Sequence, residues 1–494
     1  MNTDGGRPSA PSGHRGTPLT RRTVRWLDRR VGAAGMARKA LEKVFPDHWS
    51  FLIGEIALWS FVMLLLTGVY LTFFFEPSLE KVVYDGSYEG LRGLEITRAY
   101  DSALDISFEV RSGLVMRQMH HWAALVFVAS TSAHLCRVFF TGAFRRPREL
   151  NWIIGVTLMI LAIVNGFTGY SLLDDQLSGT GLRIAYNIAI SIPLVGTWIA
   201  SLFFGGEFPG PDIITRLYVI HILLVPGVLL ALIGLHMGLL VRQRHTQFSG
   251  PGRTEDNVVG ERVWPTYLAK GLGMFFLTSA ALAALGGLAQ INPIWLYGPY
   301  EPADVSTASQ PDWYMGWLDG ALRIMPSWEF RAFGFEVPNP FLQAVLVPTI
   351  TFLLLFLWPF LEARVTKDHA EHHLLDRPRD RPVRTALGVA ALSFYTVLFF
   401  AGGSDVLAVT FGIPINVLFP AFQVLLVVLP AAAGYLAYRL CKELAQRDQP
   451  GGEHHAREVA PPAPDSGESH RREVAPDDTP ERQPAAEAGG KPRR

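Results

Sequence analysis

The sequence predicts an all-α polytopic membrane protein of eight transmembrane helices, the first four gathered into a bundle and the rest forming a C-terminal helical part. Three observations carry this. Several apolar runs exceed eighteen residues, in a chain of 494 residues with mean hydropathy +0.22 and 18% charged residues; runs of that length fit a bilayer, not a soluble core. Two of the runs each hold a pair of histidines at nearly equal spacing. The loops between runs alternate between Lys/Arg-poor and Lys/Arg-rich. The formal net charge is zero, so nothing points to nucleic acid. The two cysteines, Cys136 and Cys441, form no CxxC or CxxCH pattern, which excludes an iron–sulfur cluster or a c-type haem built from this chain.

Residues 1–45 are Gly/Pro/Arg-rich and then weakly helical in pattern, which predicts an N-terminal extension ending in a membrane-surface helix. They lack a short apolar core, so no cleavable signal peptide is expected. The first span is read at 50–75, followed by an acidic loop, 76–114. The second span is 115–140, and a short basic loop leads to the third, 151–173. In the long connection 174–215, residues 184–200 read as an amphipathic helix lying on the membrane. The fourth span is 216–241 and, after a basic loop, the fifth is 268–291. Residues 292–340 are polar and Pro-rich with short helical pieces. The sixth, seventh and eighth spans are 341–361, 385–402 and 415–440. Residues 446–494 are Pro/Glu/Arg/Gly-rich, the composition of a disordered tail.

Charge gives these spans a direction. The long loops after spans one, three and five carry seven Lys/Arg between them, and the shorter loops after spans two, four and six carry thirteen. With the basic N-terminus, the positive-inside rule predicts that both termini are cytoplasmic.

A His inside a span is costly and asks for a partner. In RQMHHWAALVFVASTSAHLCR, His120 and His134 are fourteen residues apart, about 40° from a shared face and about 21 Å along the axis. In the fourth span His221 and His236 are fifteen apart, about 60° and ~22 Å. Placed antiparallel, the two helices bring one imidazole from each to matched depth, twice. A single such His would be read as an ordinary satisfied polar residue. Four in this pattern read as two bis-His haem sites, imidazole being a strong axial ligand for haem iron: His120 with His221 near the outer face, His134 with His236 near the inner. Gly54 and Gly68, and Gly155 and Gly169, repeat the fourteen-residue spacing in spans one and three. They are expected to clear room for a flat macrocycle, small-residue helix packing being the plainer reading. Arg117, Arg137 and Arg216 flank the histidines and suit haem propionates, or else only set topology. His121 lies about 100° off the ligand face and is expected to be structural or propionate-side, not a ligand.

The stretches RQMH…H, TRLYVIH…H, TGYSLLDDQ, SIPLVGTW and QPDWYMGW…LRIMP, in that order over about residues 45–440, resemble the cytochrome b subunit of cytochrome bc complexes. The fifteen-residue His gap, HHWAALV and FRRPRELNW are similar to the plastid-type branch. The fused eight-span chain with long tails and a PDWY motif resembles actinobacterial menaquinol oxidases of this class.

The resemblance implies a di-haem bundle over 46–250, a part with the outer quinol-site loop over 251–445, and cytoplasmic ends at 1–45 and 446–494. It implies two non-covalent b-type haems and a quinone substrate, menaquinol in this branch. Quinol would be oxidised near the outer face. One electron would go to a Rieske iron–sulfur subunit, the other inward to a quinone, with proton translocation. Asp312 of Pro311-Asp312-Trp313-Tyr314 would accept a quinol proton, in a place where the family usually has Glu. Tyr314 and Tyr170, the latter in the GY motif, would line the outer pocket. Departures from the family pattern are Asp319 for a frequent Tyr, Leu173–Asp174 for Pro–Trp, Val241 for a His, and Gly271 for an acidic residue after Lys270. Arg242, His245, Glu261 and Lys270 are nearby candidates for the inner quinone site, a plain cytoplasmic-face charge being the simpler reading of each. With no Cys in or before the first span, no further covalent haem is implied. The implied partners are the Rieske subunit docking on 174–215 and 292–340, a c-type cytochrome, a second copy of the complex, membrane lipid and a terminal oxidase, in a bacterial plasma membrane.

Two other readings of the histidines stay open: a di-haem membrane anchor of a dehydrogenase, which needs no outer PDWY segment, and a transporter with intramembrane His as a proton relay, which would be colourless.

Overall fold

The computed structural model describes residues 41–304, 310–332 and 334–447, with scattered positions between 22 and 40. The expectations for the first twenty-one residues and for the tail from 448 onward lie outside the described residues. Among the described residues eight helices are long and apolar enough to cross a membrane. They are α1 (Trp49–Thr72), α3 (Gly113–Thr141), α4 (Glu149–Leu173), α7 (Ile213–Arg242), α8 (Val263–Leu288), α10 (Asn339–Thr366), α11 (Pro382–Gly402) and α13 (Ile415–Arg447). At 29 residues, α3 is about 43 Å long and extends past a ~30 Å hydrocarbon layer. It stops at Gly142, whose left-handed backbone (φ 65°) is the usual helix terminator.

The shorter helices lie between the spans and sharpen the expectations for the loops. The acidic loop after α1 contains a folded unit: strands Lys81–Val83 and Glu95–Thr97 pair antiparallel and lead into α2 (Arg98–Phe108). The Thr97 side chain caps α2 by accepting from the Tyr100 amide. Ile96, Ala99, Tyr100 and Leu104 are fully buried there. The single amphipathic helix expected at 184–200 is instead two, α5 (Gln176–Ile190) and α6 (Gly196–Phe204). The break falls at Ser191-Ile192-Pro193-Leu194, where Pro193 has no amide hydrogen and Leu194 takes a left-handed φ of 71°. α9 (Gly316–Ile324) follows the PDWY motif, and α12 (Ser404–Phe411) connects α11 to α13.

The first four spans pack as expected: α1 against α3, α3 against α4, and α4 against α7. α8 covers α1 and α3, while α11 packs on α9 and α10 on α4. An apolar layer of Phe61, Phe127, Val128, Leu158, Ala162 and Leu229 fills the middle of the bundle. Phe61 and Phe127 meet there with ring centroids 5.5 Å apart. A cavity opens on either side of this layer, and Phe127 lines both.

Candidate functional site

α3 and α7 each send two imidazoles into the bundle, one into each cavity. His120 and His221 face each other with ring centroids 6.2 Å apart, and His134 and His236 at 6.4 Å. A metal–imidazole bond of ~2.0–2.1 Å plus ~1.1 Å from nitrogen to ring centre puts two imidazoles on opposite sides of one metal about 6.3 Å apart. Both pairs fit that span.

The unequal sequence spacing has a local cause. His221 lies in a π-type turn, Ile220–Leu224, closed by the Val225 amide on the Ile220 carbonyl. Such a turn absorbs one extra residue. Fifteen residues in α7 therefore cover the same arc as fourteen in α3.

Neighbouring groups select the tautomer. The Thr67 hydroxyl donates to the Met63 carbonyl at 2.7 Å, so at 2.9 Å it accepts from His120 Nδ1–H. His221 Nδ1 lies 3.0 Å from the Asn165 carbonyl, which can only accept. In both rings the proton is on Nδ1 and Nε2 keeps its lone pair for a metal.

The four glycines sit against these rings. A Cβ on Gly169 would come within 2.5 Å of His221, on Gly54 within 3.1 Å of His134, on Gly68 within 3.2 Å of His120, and on Gly155 within 3.8 Å of His236. Each glycine thus seats an imidazole, and each also lines the cavity beside that ring.

Arg117 and Arg137 line the two cavities, one each. Each keeps Nε and Nη2 buried with no hydrogen-bond partner among the described residues. Buried guanidinium groups left open in this way are matched by an anion such as a propionate. Arg216 corrects the expectation made for it. It lines neither cavity, and its Nη1 donates to the Ser201 and Leu202 carbonyls at the end of α6.

The His120–His221 cavity, of about 410 Å³, also receives the PDWY segment. Asp312 Oδ1 is 2.8 Å from His121 Nε2, and Oδ2 accepts from the Tyr314 hydroxyl at 3.0 Å. Burial and the Asp312 carboxylate push the Tyr314 phenol well above its ordinary pKa, so it stays a donor. Its hydroxyl is seated against Gly166 of α4, where a Cβ would lie 2.4 Å away. Tyr170 lines the same cavity. His121, expected to be structural or propionate-side, has Asp312 as its partner, which the sequence did not reveal. Its 100° offset from the ligand face was legible, but not that residues 311–315 fold back onto that side of α3. Asp319 lies away from the cavity, paired with Arg323 at 3.0 Å; Arg323 also meets Asp405 at 3.2 Å.

The His134–His236 cavity sorts the candidates named for an inner quinone site. His245 lines it; Arg242, Glu261 and Lys270 do not. Lys270 is held by Asp47 and Glu261, each at 2.9 Å. Burial, with Lys43 and Arg148 nearby, pushes the His245 imidazole down to a pKa of about 3, so it is neutral. Glu55 and Tyr267, which the sequence did not single out, line the same cavity.

The family model described as "Cytochrome b(N-terminal)/b6/petB" matches residues 125–299. The chain is 53% identical over 429 residues to the "Cytochrome bc1 complex cytochrome b subunit" of Mycobacterium leprae, covering 87% of this chain and 78% of that one. It is 48% identical over 453 residues to the protein of the same name from Streptomyces coelicolor, covering 91% and 82%. A solved "Hyperthermophilic respiratory Complex III" chain superposes with a TM-score of 0.60 at 20% identity, over 84% of this chain and 100% of that one, a likeness of fold alone. With the paired imidazoles and the PDWY cavity in place, identity at this level over most of both chains shows that this protein belongs to the cytochrome b family of cytochrome bc1 complexes.

Proposed function

We propose that the chain is the di-haem, quinol-oxidising membrane subunit of a quinol–cytochrome c reductase. The observation that carries this is the pair of facing imidazole sites at two depths, with Asp312 brought into one of them. Family membership implies b-type haem; the count of two rests on His120 with His221 and His134 with His236. Gly54, Gly68, Gly155 and Gly169 back the rings, and Arg117 and Arg137 would meet the propionates. Bound between each pair, haem would supply a one-electron carrier. Two imidazoles would hold it in each site; at His120 and His221 the Nδ1 protons are already committed to the helix walls.

Oxidising a quinol releases two electrons and two protons. Asp312 is the acceptor for a hydroxyl proton in the His120–His221 cavity. His121 and Tyr314 each hold one of its oxygens, so an incoming quinol hydroxyl replaces one of these bonds. Tyr314, 2% exposed and wedged on Gly166, is the fixed side. A dehydrogenase anchor would have no use for this segment, which favours the reductase reading.

The charge bias of the loops supports placing this cavity at the outer face and both termini in the cytoplasm. The same bias supports an outer position for α5, α6 and the 292–340 segment, where a Rieske subunit would dock. The partners we propose beyond it are a c-type cytochrome, a second copy of the complex and a terminal oxidase, with menaquinol as the substrate.

A redox-titrated spectrum of the purified protein tests the core claim. Two b-type transitions of different potential are expected, His120 or His221 variants losing one and His134 or His236 variants the other. A single transition, or both kept in all four variants, would sink it. Asp312→Asn should keep both signals while quinol oxidation slows by ~10²-fold or more. Wild-type turnover in that variant would remove Asp312 from the proton path.

A further inference from the structure

The His134–His236 cavity holds open polar atoms that the imidazole pair does not use. Glu55 follows Gly54 on α1 and lines the cavity. Its Oε1 accepts from the Tyr267 hydroxyl at 2.5 Å, and its Oε2 is buried with no hydrogen-bond partner among the described residues. Among the described residues Glu55 has no ion-pair partner either; Lys270 is held by Asp47 and Glu261. His245, only 5% exposed, also leaves its Nε2 buried and without a partner among the described residues. Phe45 packs against both sides of this set, its ring 4.0 Å from that of His245 and 4.6 Å from that of Tyr267. Buried polar atoms left open are rare and costly, and they collect where a ligand completes them. The ligand that suits this set has an oxygen at each end of a flat apolar ring.

On the reading that a quinone is reduced in this cavity, we propose that Glu55 is the carboxyl group that hands it a proton. Tyr267 holds the carboxyl in place and His245 hydrogen-bonds the quinone's other oxygen. A quinone becomes a quinol by taking up two electrons and two protons. Each quinol oxidised in the other cavity sends one electron inward, so the two electrons come from two such oxidations. One proton leaves Glu55 as the new O–H bond forms, the other comes from water, and water then reprotonates Glu55. The position on α8 facing Oε2 is Gly271, where a Cβ would stand 3.9 Å from that oxygen, so no side chain at this position covers it.

The full complex provides the test. In Glu55→Gln, the reduced-minus-oxidised spectrum should keep both b-type signals and first reduction by quinol should keep its rate. Reoxidation of the reduced protein by a water-soluble naphthoquinone should slow ~10-fold or more and lose its pH dependence. Adding Gly271→Asp to Glu55→Gln returns a carboxyl to the same spot from the opposite helix and should recover most of the rate. Wild-type reoxidation in Glu55→Gln, or no recovery in a double variant with an intact spectrum, overturns the assignment. Tyr267→Phe leaves the carboxyl in place and should slow the same step by about two- to five-fold; an unchanged rate there counts against the proposal even if Glu55→Gln fails to assemble. Leu58→Trp fills the cavity wall and separates the two levels. If it leaves reoxidation untouched, the quinone does not react in this cavity and the underlying reading fails. If it blocks reoxidation while Glu55→Gln does not, only the role of Glu55 fails.

Discussion

At the scale of single residues, the site depends on where atoms are missing. The four glycines share one spacing but not one tolerance. Gly169→Ala would drive a Cβ to 2.5 Å from His221, whereas Gly155→Ala would make an ordinary 3.8 Å contact with His236. Gly169→Ala should therefore lose the b-type signal of the His120–His221 pair alone, and Gly155→Ala should keep both signals. Equal loss in both variants, read in the same spectra, would show that the glycines do something other than seat the rings. The histidines and glycines were legible in the sequence because a span-length helix obeys one arithmetic of angle and rise. His121 and Glu55 were not, because each takes its meaning from a residue on a distant segment: Asp312 for one, Tyr267 for the other. Arg216 misled for the converse reason. Its place beside His221 in sequence suggested a cofactor contact, but helix ends expose bare carbonyls, and those of α6 claim it.

At the scale of elements, all eight spans were legible, since apolar length is a strong signal, and their ends were not. α10 runs on to Thr366 through Pro359, and α13 continues to Arg447. The connecting segments carried less periodicity, and there the hairpin with α2 and the split into α5 and α6 went unseen. The π-type turn at His221 gives the element-scale prediction. Deleting Ile222 should convert that turn to regular helix and leave both imidazole pairs aligned. Deleting Ala129, in the regular stretch of α3, rotates one histidine by ~100° against the other. The first variant should retain both b-type signals and the second should lose one. Loss of a signal in the first would mean that the extra residue is not absorbed locally.

At the scale of the whole molecule, one buried carboxyl pair ties stability to pH. At the turn between α4 and α5, burial pushes the carboxyls of Asp174 and Asp175 up to about 6. The folded protein therefore holds these protons more tightly than the unfolded chain. Their contribution to stability is full below about pH 4, falls as pH rises toward 6, and is gone above it. Asp175→Asn removes one of these groups and keeps a residue that caps helices well. The variant should melt higher than the parent above pH 6, with the gap closing below pH 4. A gap independent of pH would mean that burial of the charge is not its source.

The middle layer of Phe61, Phe127, Val128, Leu158, Ala162 and Leu229 has an electrical consequence. An electron can tunnel through packed hydrocarbon, but a proton needs a chain of hydrogen bonds, and these side chains offer none. The layer is thus a conductor for one charge and an insulator for the other. Charge that crosses it cannot be cancelled in place, and it stores energy as voltage at ~2.3 kcal/mol per elementary charge per 100 mV.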